Sequence, residues 1–246
     1  MNPSIWELET FYRKREIIII GSGFTGLWTA ISIKDKHPEK SVLIVERHPI
    51  PTGASTRNAG FACFGSLTEI ISDSEKMGWE KTLDLVKMRF KGLQKIQNYF
   101  ANDEIDFELC GGYEILNDES ALEKLDEVNQ HLFPITKTEN TFRIVNEKIK
   151  EFELGESEFL VENLCEGSLH SGKLLMKLVE KCHELKVEFL CGTEVESFSE
   201  TENEIEIKIN ENLILKSEKV IFCTNTFSSK FLEYEEIIPA RGQIIL

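Results

Sequence analysis

The sequence predicts an α/β protein in which one sheet-and-helix domain is interrupted by a second, more acidic block. Three observations carry that prediction. Two uninterrupted apolar runs, residues 17–20 and Val42–Val45, flank a helical stretch near the start of the chain. Helix-then-strand patterning returns from about residue 159. Charge divides in the same way: residues 1–60 hold eight basic and six acidic side chains, whereas residues 61–246 hold 20 basic and 37 acidic ones.

Residues 17–20 are four consecutive isoleucines ending at Gly21, which suits a strand buried on both faces of a parallel sheet. A helix bearing Leu27, Ala30 and Ile31 follows and stops before Pro38; Val42–Val45 is the next buried strand. Residues 52–66 are small and glycine-rich and read as a loop. Trp79, Leu83, Val86, Phe90 and Leu93 recur at helical spacing and predict one long helix over residues 74–100. Residues 105–117 read as strands broken at Gly111 and Gly112, and 119–132 as a second amphipathic helix. Ser171 is placed to cap a helix running to Leu185. A strand at 187–190, a meander at 194–216 and a short buried strand at 220–223 complete the pattern. The expected domains are therefore discontinuous: 1–68 with 156–232, and 69–155 with 233–246.

The chain has 246 residues and a net charge of −15. An acidic surface repels nucleic acid and anionic lipid, so neither is an expected partner. No apolar run approaches the length of a membrane span, and the first fifteen residues lack the apolar core of a secretory signal. The expectation is a cytoplasmic, soluble protein. Six cysteines form no CxxC pair and five histidines show no metal-ligand spacing; reduced, mostly buried thiols and no metal site are expected.

The chemistry lies in the segment of least net charge. Gly21, Ser22, Gly23, Phe24, Thr25 and Gly26 form a GxGxxG turn set between a strand and a helix. The first glycine permits the turn, the second admits a pyrophosphate, and the third lets the helix pack closely with its N-terminus facing the phosphate charge. Glu46 follows Gly26 by twenty residues, at the end of the next strand, where a carboxylate can accept from an adenosine ribose and disfavours a 2′-phosphate. This is a Rossmann-like dinucleotide site, and the motif alone does not separate NAD from FAD. The loop from Gly53 through Ser55, Arg57, Asn58, Ala59 and Gly60 to Phe61 offers backbone amides, hydroxyls, an amide and a guanidinium. That character suits a planar, polar-edged ring.

Together with residues 166–170, 193–195, 220–227 and 239–243, these motifs resemble the FAD-dependent D-amino-acid-oxidase-like superfamily, which includes glycine oxidase and sarcosine oxidase. The resemblance spans nearly the whole chain. It implies a Rossmann-like FAD-binding domain interleaved with a mixed-sheet (α+β) substrate domain. By that resemblance Gly21, Gly23 and Gly26, with Phe24 and Thr25 between them, hold the FAD pyrophosphate. Glu46 holds the ribose, and Arg47 lies beside the adenine. Ser55, Arg57, Asn58, Ala59 and Gly60 contact the ribityl chain or the isoalloxazine edge. Val195 bonds adenine through its backbone, and Thr224 and Asn225 line the adenosine side. Arg57 and Asn58 stand where some relatives attach FAD through histidine, so the cofactor is expected to be non-covalent.

The implied reaction oxidises the C–N bond of an amine or amino acid by hydride transfer to flavin N5, with water hydrolysing the imine. No catalytic residue is assigned, and Arg57 is a candidate for the substrate carboxylate. The family's chains continue beyond the segment that corresponds to residues 239–243. The sequence is accordingly expected to be an N-terminal portion, truncated at its C-terminus, or half of a site completed by another chain. Two alternatives stay open: a non-catalytic FAD-binding fragment, and a NAD-linked dehydrogenase.

Overall fold

The computed structural model describes residues 3–210, 213–232, 237–238 and 240. Its elements run α1 (Ile5–Glu9), β1 (Arg15–Ile20), α2 (Phe24–Lys36), β2 (Val42–Val45), β3 (Phe61–Ala62), α3 (Leu67–Met77) and α4 (Trp79–Tyr99). Then come β4 (Gly112–Leu116), α5 (Leu125–Thr136), β5 (Phe142–Ile144), α6 (Glu147–Glu151), β6 (Phe159–Asn163) and β7 (Gly167–Ser168). The last are α7 (Ser171–Glu184), β8 (Glu188–Leu190), β9 (Ser197–Glu200), β10 (Ile205–Asn210) and β11 (Leu213–Phe222). They form two compact units, Met1–Ala59 with Ser171–Leu246, and Gly60–His170.

The first unit is built on a six-stranded sheet of order β8-β2-β1-β11-β10-β9. β8, β2, β1 and β11 run parallel, and β9 to β11 form an antiparallel meander. Alternation along the strands splits the apolar runs between two faces. Ile18, Ile20, Leu43 and Val45 form one core with Val195, Ile207, Leu213 and Leu215 of the meander side. On the helical side, α2 and α7 meet, with Leu27, Ala30, Ile31, Leu174 and Leu178 buried. Each fully buried isoleucine or leucine in such a sheet contributes roughly 1.5–3 kcal/mol.

The strand expected at 220–223 is the end of a longer one. Leu213 to Ser217 pair with β10, and Ser217 to Phe222 pair with β1, so a single strand joins the meander to the parallel sheet. Ser217, wholly buried where the pairing changes sides, donates through Oγ to the carbonyl oxygens of Glu16 and Lys219.

In the second unit, α3, α4 and α5 cover one face of the antiparallel sheet β4-β6-β5. The core holds Phe64, Leu67, Ile70, Val86, Leu116, Val128, Leu132, Phe142 and Val161. The long helix expected over 74–100 is instead two helices, because Gly78 takes a φ of +81° and stops α3 before α4 begins. The second amphipathic helix lies four residues later than expected at its end, finishing at Thr136. Of residues 105–117 only Gly112–Leu116 form a strand. The domain borders proposed at 68 and 156 both fall inside this unit, since β3 pairs with β7 and β6 with β4 and β5. Residues 233–236, 239 and 241–246 lie outside the described residues, and with them most of the 239–243 motif.

The thiols correct another expectation. Only Cys182 is buried, whereas Cys63, Cys110 and Cys191 are exposed. Cys63 follows buried Ala62 and exposed Phe61, so strand alternation turns it outward. No helix among the described residues is long and apolar enough to cross a membrane.

Candidate functional site

The site is assembled at the carboxyl ends of β1, β2 and β11 in the first unit. Gly21 has a φ of +104°, and a Cβ there would lie 2.5 Å from the Cys223 carbonyl oxygen. Only a glycine lets the turn leave β1 so close to β11. The turn is tied on both sides: Gly21 N–H donates to Val45 O at 2.9 Å, and Cys223 N–H to Ile20 O at 2.8 Å. At Gly26 a Cβ would fall 2.0 Å from the Gly21 carbonyl oxygen, so α2 packs against the turn with no space for a side chain. Gly23 is the N-cap of α2 and supplies no capping side chain. Ser55 supplies one from the loop, its Oγ accepting from Phe24 N–H at 2.9 Å. No acidic residue stands in the first turn of α2, which leaves the positive end of the helix available to an anion.

Glu46, at the end of β2, is 7% exposed. Ser22 donates to its Oε2 twice, through N–H at 3.0 Å and Oγ at 2.8 Å, and His48 N–H donates to Oε1 at 3.1 Å. Its backbone is fixed as well, donating to Leu190 O and accepting from Thr193 N–H. Beyond it, the Arg47 guanidinium lies over the Phe227 ring, and Lys230 Nζ donates to Glu194 Oε1 and Val195 O. The Val195 N–H has no acceptor among the described residues. Asn225 takes a φ of +52°, a conformation asparagine tolerates better than most residues.

These groups border one cleft of about 1050 Å³. That lies at the upper end of the roughly 300–1,000 Å³ of ordinary small-molecule sites and suits a ligand of dinucleotide size. Gly21, Gly23, Phe24, Thr25, Glu46, Arg47, Ser55, Val195, Thr224 and Asn225 all line it. Gly26 does not, because its place is beneath the turn. Arg57, Asn58, Ala59 and Gly60 are not part of its walls. Arg57 and Asn58 are exposed. The Asn58 amide donates to Ala54 O and Ser55 O and accepts from Ser171 Oγ, which anchors the loop to the first residue of α7. Gly60 begins the second unit.

Sequence reasoning missed Ser22, Phe227 and Lys230. Ser22 occupies a variable position of the glycine motif, and its bond to Glu46 spans 24 residues. Phe227 follows Thr224 by one helical turn, a spacing that carries no signal alone. Among the described residues no group of three or more His, Cys, Asp or Glu side chains could hold a metal ion.

The arrangement fits an adenine dinucleotide: a glycine turn without room for side chains, a helix terminus, a clasped carboxylate and an unpaired backbone donor in one cleft wall. Comparison with known proteins agrees. A family model described as FAD dependent oxidoreductase matches residues 16–246. L-saccharopine oxidase of Schizosaccharomyces pombe is 22% identical over 251 residues, covering 93% of this chain and 54% of that protein. Among solved structures, glycine oxidase from Geobacillus kaustophilus superposes with a TM-score of 0.66 at 15% identity, covering 88% of this chain and 57% of that one. L-proline dehydrogenase from P. horikoshii gives 0.63 at 19% identity, covering 89% and 55%. At these identities the structures establish the fold. The chain spans about half the length of the relatives it matches.

Proposed function

The chain belongs to the FAD-dependent oxidoreductase family, and on that footing we propose that it holds the cofactor of a flavoenzyme oxidising the C–N bond of an amine or amino acid. Family membership favours FAD over the NAD-linked alternative. The observation that carries the reading is the convergence of Gly21, Gly23, Glu46 and Val195 on one cleft.

In this reading the N-terminus of α2 receives the pyrophosphate, Ser55, which caps that terminus, meets the ribityl chain or the ring edge, and Glu46 accepts from the adenosine ribose. Val195 N–H faces adenine, with Arg47 beside it, and Thr224 and Asn225 border the adenosine half. Arg57, Asn58, Ala59 and Gly60 serve the ribityl and ring end, and binding is non-covalent. FAD, when bound, accepts the hydrogen and electron pair leaving the substrate carbon. Arg57 is exposed and has no ion-pair partner among the described residues, so its guanidinium is available to a substrate carboxylate or to the cofactor. The names of the relatives support amino-acid chemistry, since glycine and L-proline are amino acids.

The visible spectrum of the purified chain after mixing with FAD and gel filtration tests the assignment. Flavin absorbance co-eluting with protein is expected. A colourless protein that takes up no FAD, or one protected from unfolding by NADH alone, would overturn it.

A further inference from the structure

We propose that Ser22 is a positioning residue for Glu46, and that it leaves Glu46 one acceptor position, on Oε1, for the ribose of the bound dinucleotide. The identity of that ligand rests on the FAD reading above.

A carboxylate only accepts, and its two oxygens offer about four lone-pair directions. Ser22 fills both directions of Oε2, with N–H at 3.0 Å and Oγ–H at 2.8 Å. His48 N–H takes one direction of Oε1 at 3.1 Å. No other described residue donates to the Glu46 carboxylate, so one direction remains. Ser22 itself is wholly buried between Gly21 and Gly23, and its hydroxyl has no other partner among the described residues. Burial of a hydroxyl is costly without a bond, and here its one bond goes to the residue that would read the ribose.

Two consequences follow. The clasp fixes the Glu46 rotamer before any ligand arrives, so less side-chain freedom is lost on binding. With Oε2 saturated, the carboxylate cannot grip both hydroxyls of the ribose diol, one on each oxygen. It accepts from a single hydroxyl, through Oε1. The sequence therefore sets ribose recognition at two places: the acid at the end of β2, and the residue between the first two glycines of the turn.

Calorimetric titration of the full chain with ADP tests this, because ADP carries the adenosine and pyrophosphate common to FAD and NAD. FAD is titrated in parallel. Without the clasp the Glu46 side chain must be ordered on binding, at about 0.5–1.5 kcal/mol, which predicts that Ser22→Ala weakens ADP about two- to tenfold. In a Glu46→Ala background the same change is expected to cost nothing further, which a purely structural serine would not reproduce. With wild-type protein, one of 2′-deoxy-ADP and 3′-deoxy-ADP is expected to bind about tenfold more weakly than ADP, and the other within about twofold. This arm needs no variant to fold. Equal losses for the two analogues, an undiminished Ser22→Ala effect without Glu46, or no ADP binding by wild type would each overturn the proposal. Binding of ADP without FAD would remove the FAD assignment, while the ADP titrations would still decide the role of Ser22.

Discussion

The guanidinium carbon of Arg47 lies 4.0 Å from the centroid of the Phe227 ring. Both residues line the cleft, and Phe227 is half exposed. An aromatic face beneath a planar cation fixes its orientation, so Arg47 presents its other face to whatever lies beside it. Cation–π contacts at exposed sites are worth about 0.5–1 kcal/mol. Phe227→Ala is accordingly expected to weaken FAD binding about two- to fivefold, read by quenching of flavin fluorescence, with little change in the thermal midpoint. Should Arg47→Ala weaken binding and Phe227→Ala leave it unchanged, Phe227 is not the shelf for Arg47.

Two glycines in helices should respond in opposite directions to the same substitution. Gly26→Ala places a Cβ 2.0 Å from the Gly21 carbonyl oxygen, and both partners are backbone, so α2 must shift away from the turn. Overpacking of this kind costs about 1–3 kcal/mol. Gly92, inside α4, has nothing within 4 Å of the Cβ position. There the helix propensity of alanine stabilises by about 0.8–1 kcal/mol. Urea denaturation of the two variants should move the midpoint down for Gly26→Ala and up for Gly92→Ala. A Gly26→Ala protein as stable as wild type would show that α2 can retreat from the turn without loss.

The parts of the site legible in the sequence are those set by local backbone demands. Four isoleucines ending at Gly21 could only be a buried strand entering a tight turn, and Glu46 had to follow at the end of the next strand. The parts that were not legible depend on where the chain meets itself later. The apolar stripe from Trp79 continues smoothly from the helix before it, and only the positive φ at Gly78 separates α3 from α4. β11 reads as two pieces because its partner changes at Ser217 from β10 to β1, and no residue pattern announces a change of partner. Arg57 and Asn58 were placed by resemblance. Asn58 spends its amide on the Ala54–Thr56 turn and Ser171, a contact across 113 residues that periodicity cannot express.

The second unit contains a buried carboxyl whose titration should be visible in stability. Glu162 is 4% exposed. Burial opposes its charge, but Lys148 Nζ at 2.8 Å, Tyr113 Oη at 2.6 Å and the Arg143 Nε–H outweigh it. Together they hold the carboxyl at about 2, down from the ordinary 4.5. A carboxyl depressed in the folded state contributes stability that is complete above 4.5 and is lost as pH falls toward 2. Glu162→Gln keeps the shape and removes the charge. Solvent reaches both Arg143 and Lys148, so the loss at neutral pH should be on the order of 1–2 kcal/mol, short of the roughly 3–5 kcal/mol for breaking a fully buried pair. The gap between wild type and variant in urea should then close between about pH 4.5 and pH 2. A gap that stays constant across that interval would mean that Glu162 acts there through packing and hydrogen-bond shape, with its charge contributing nothing.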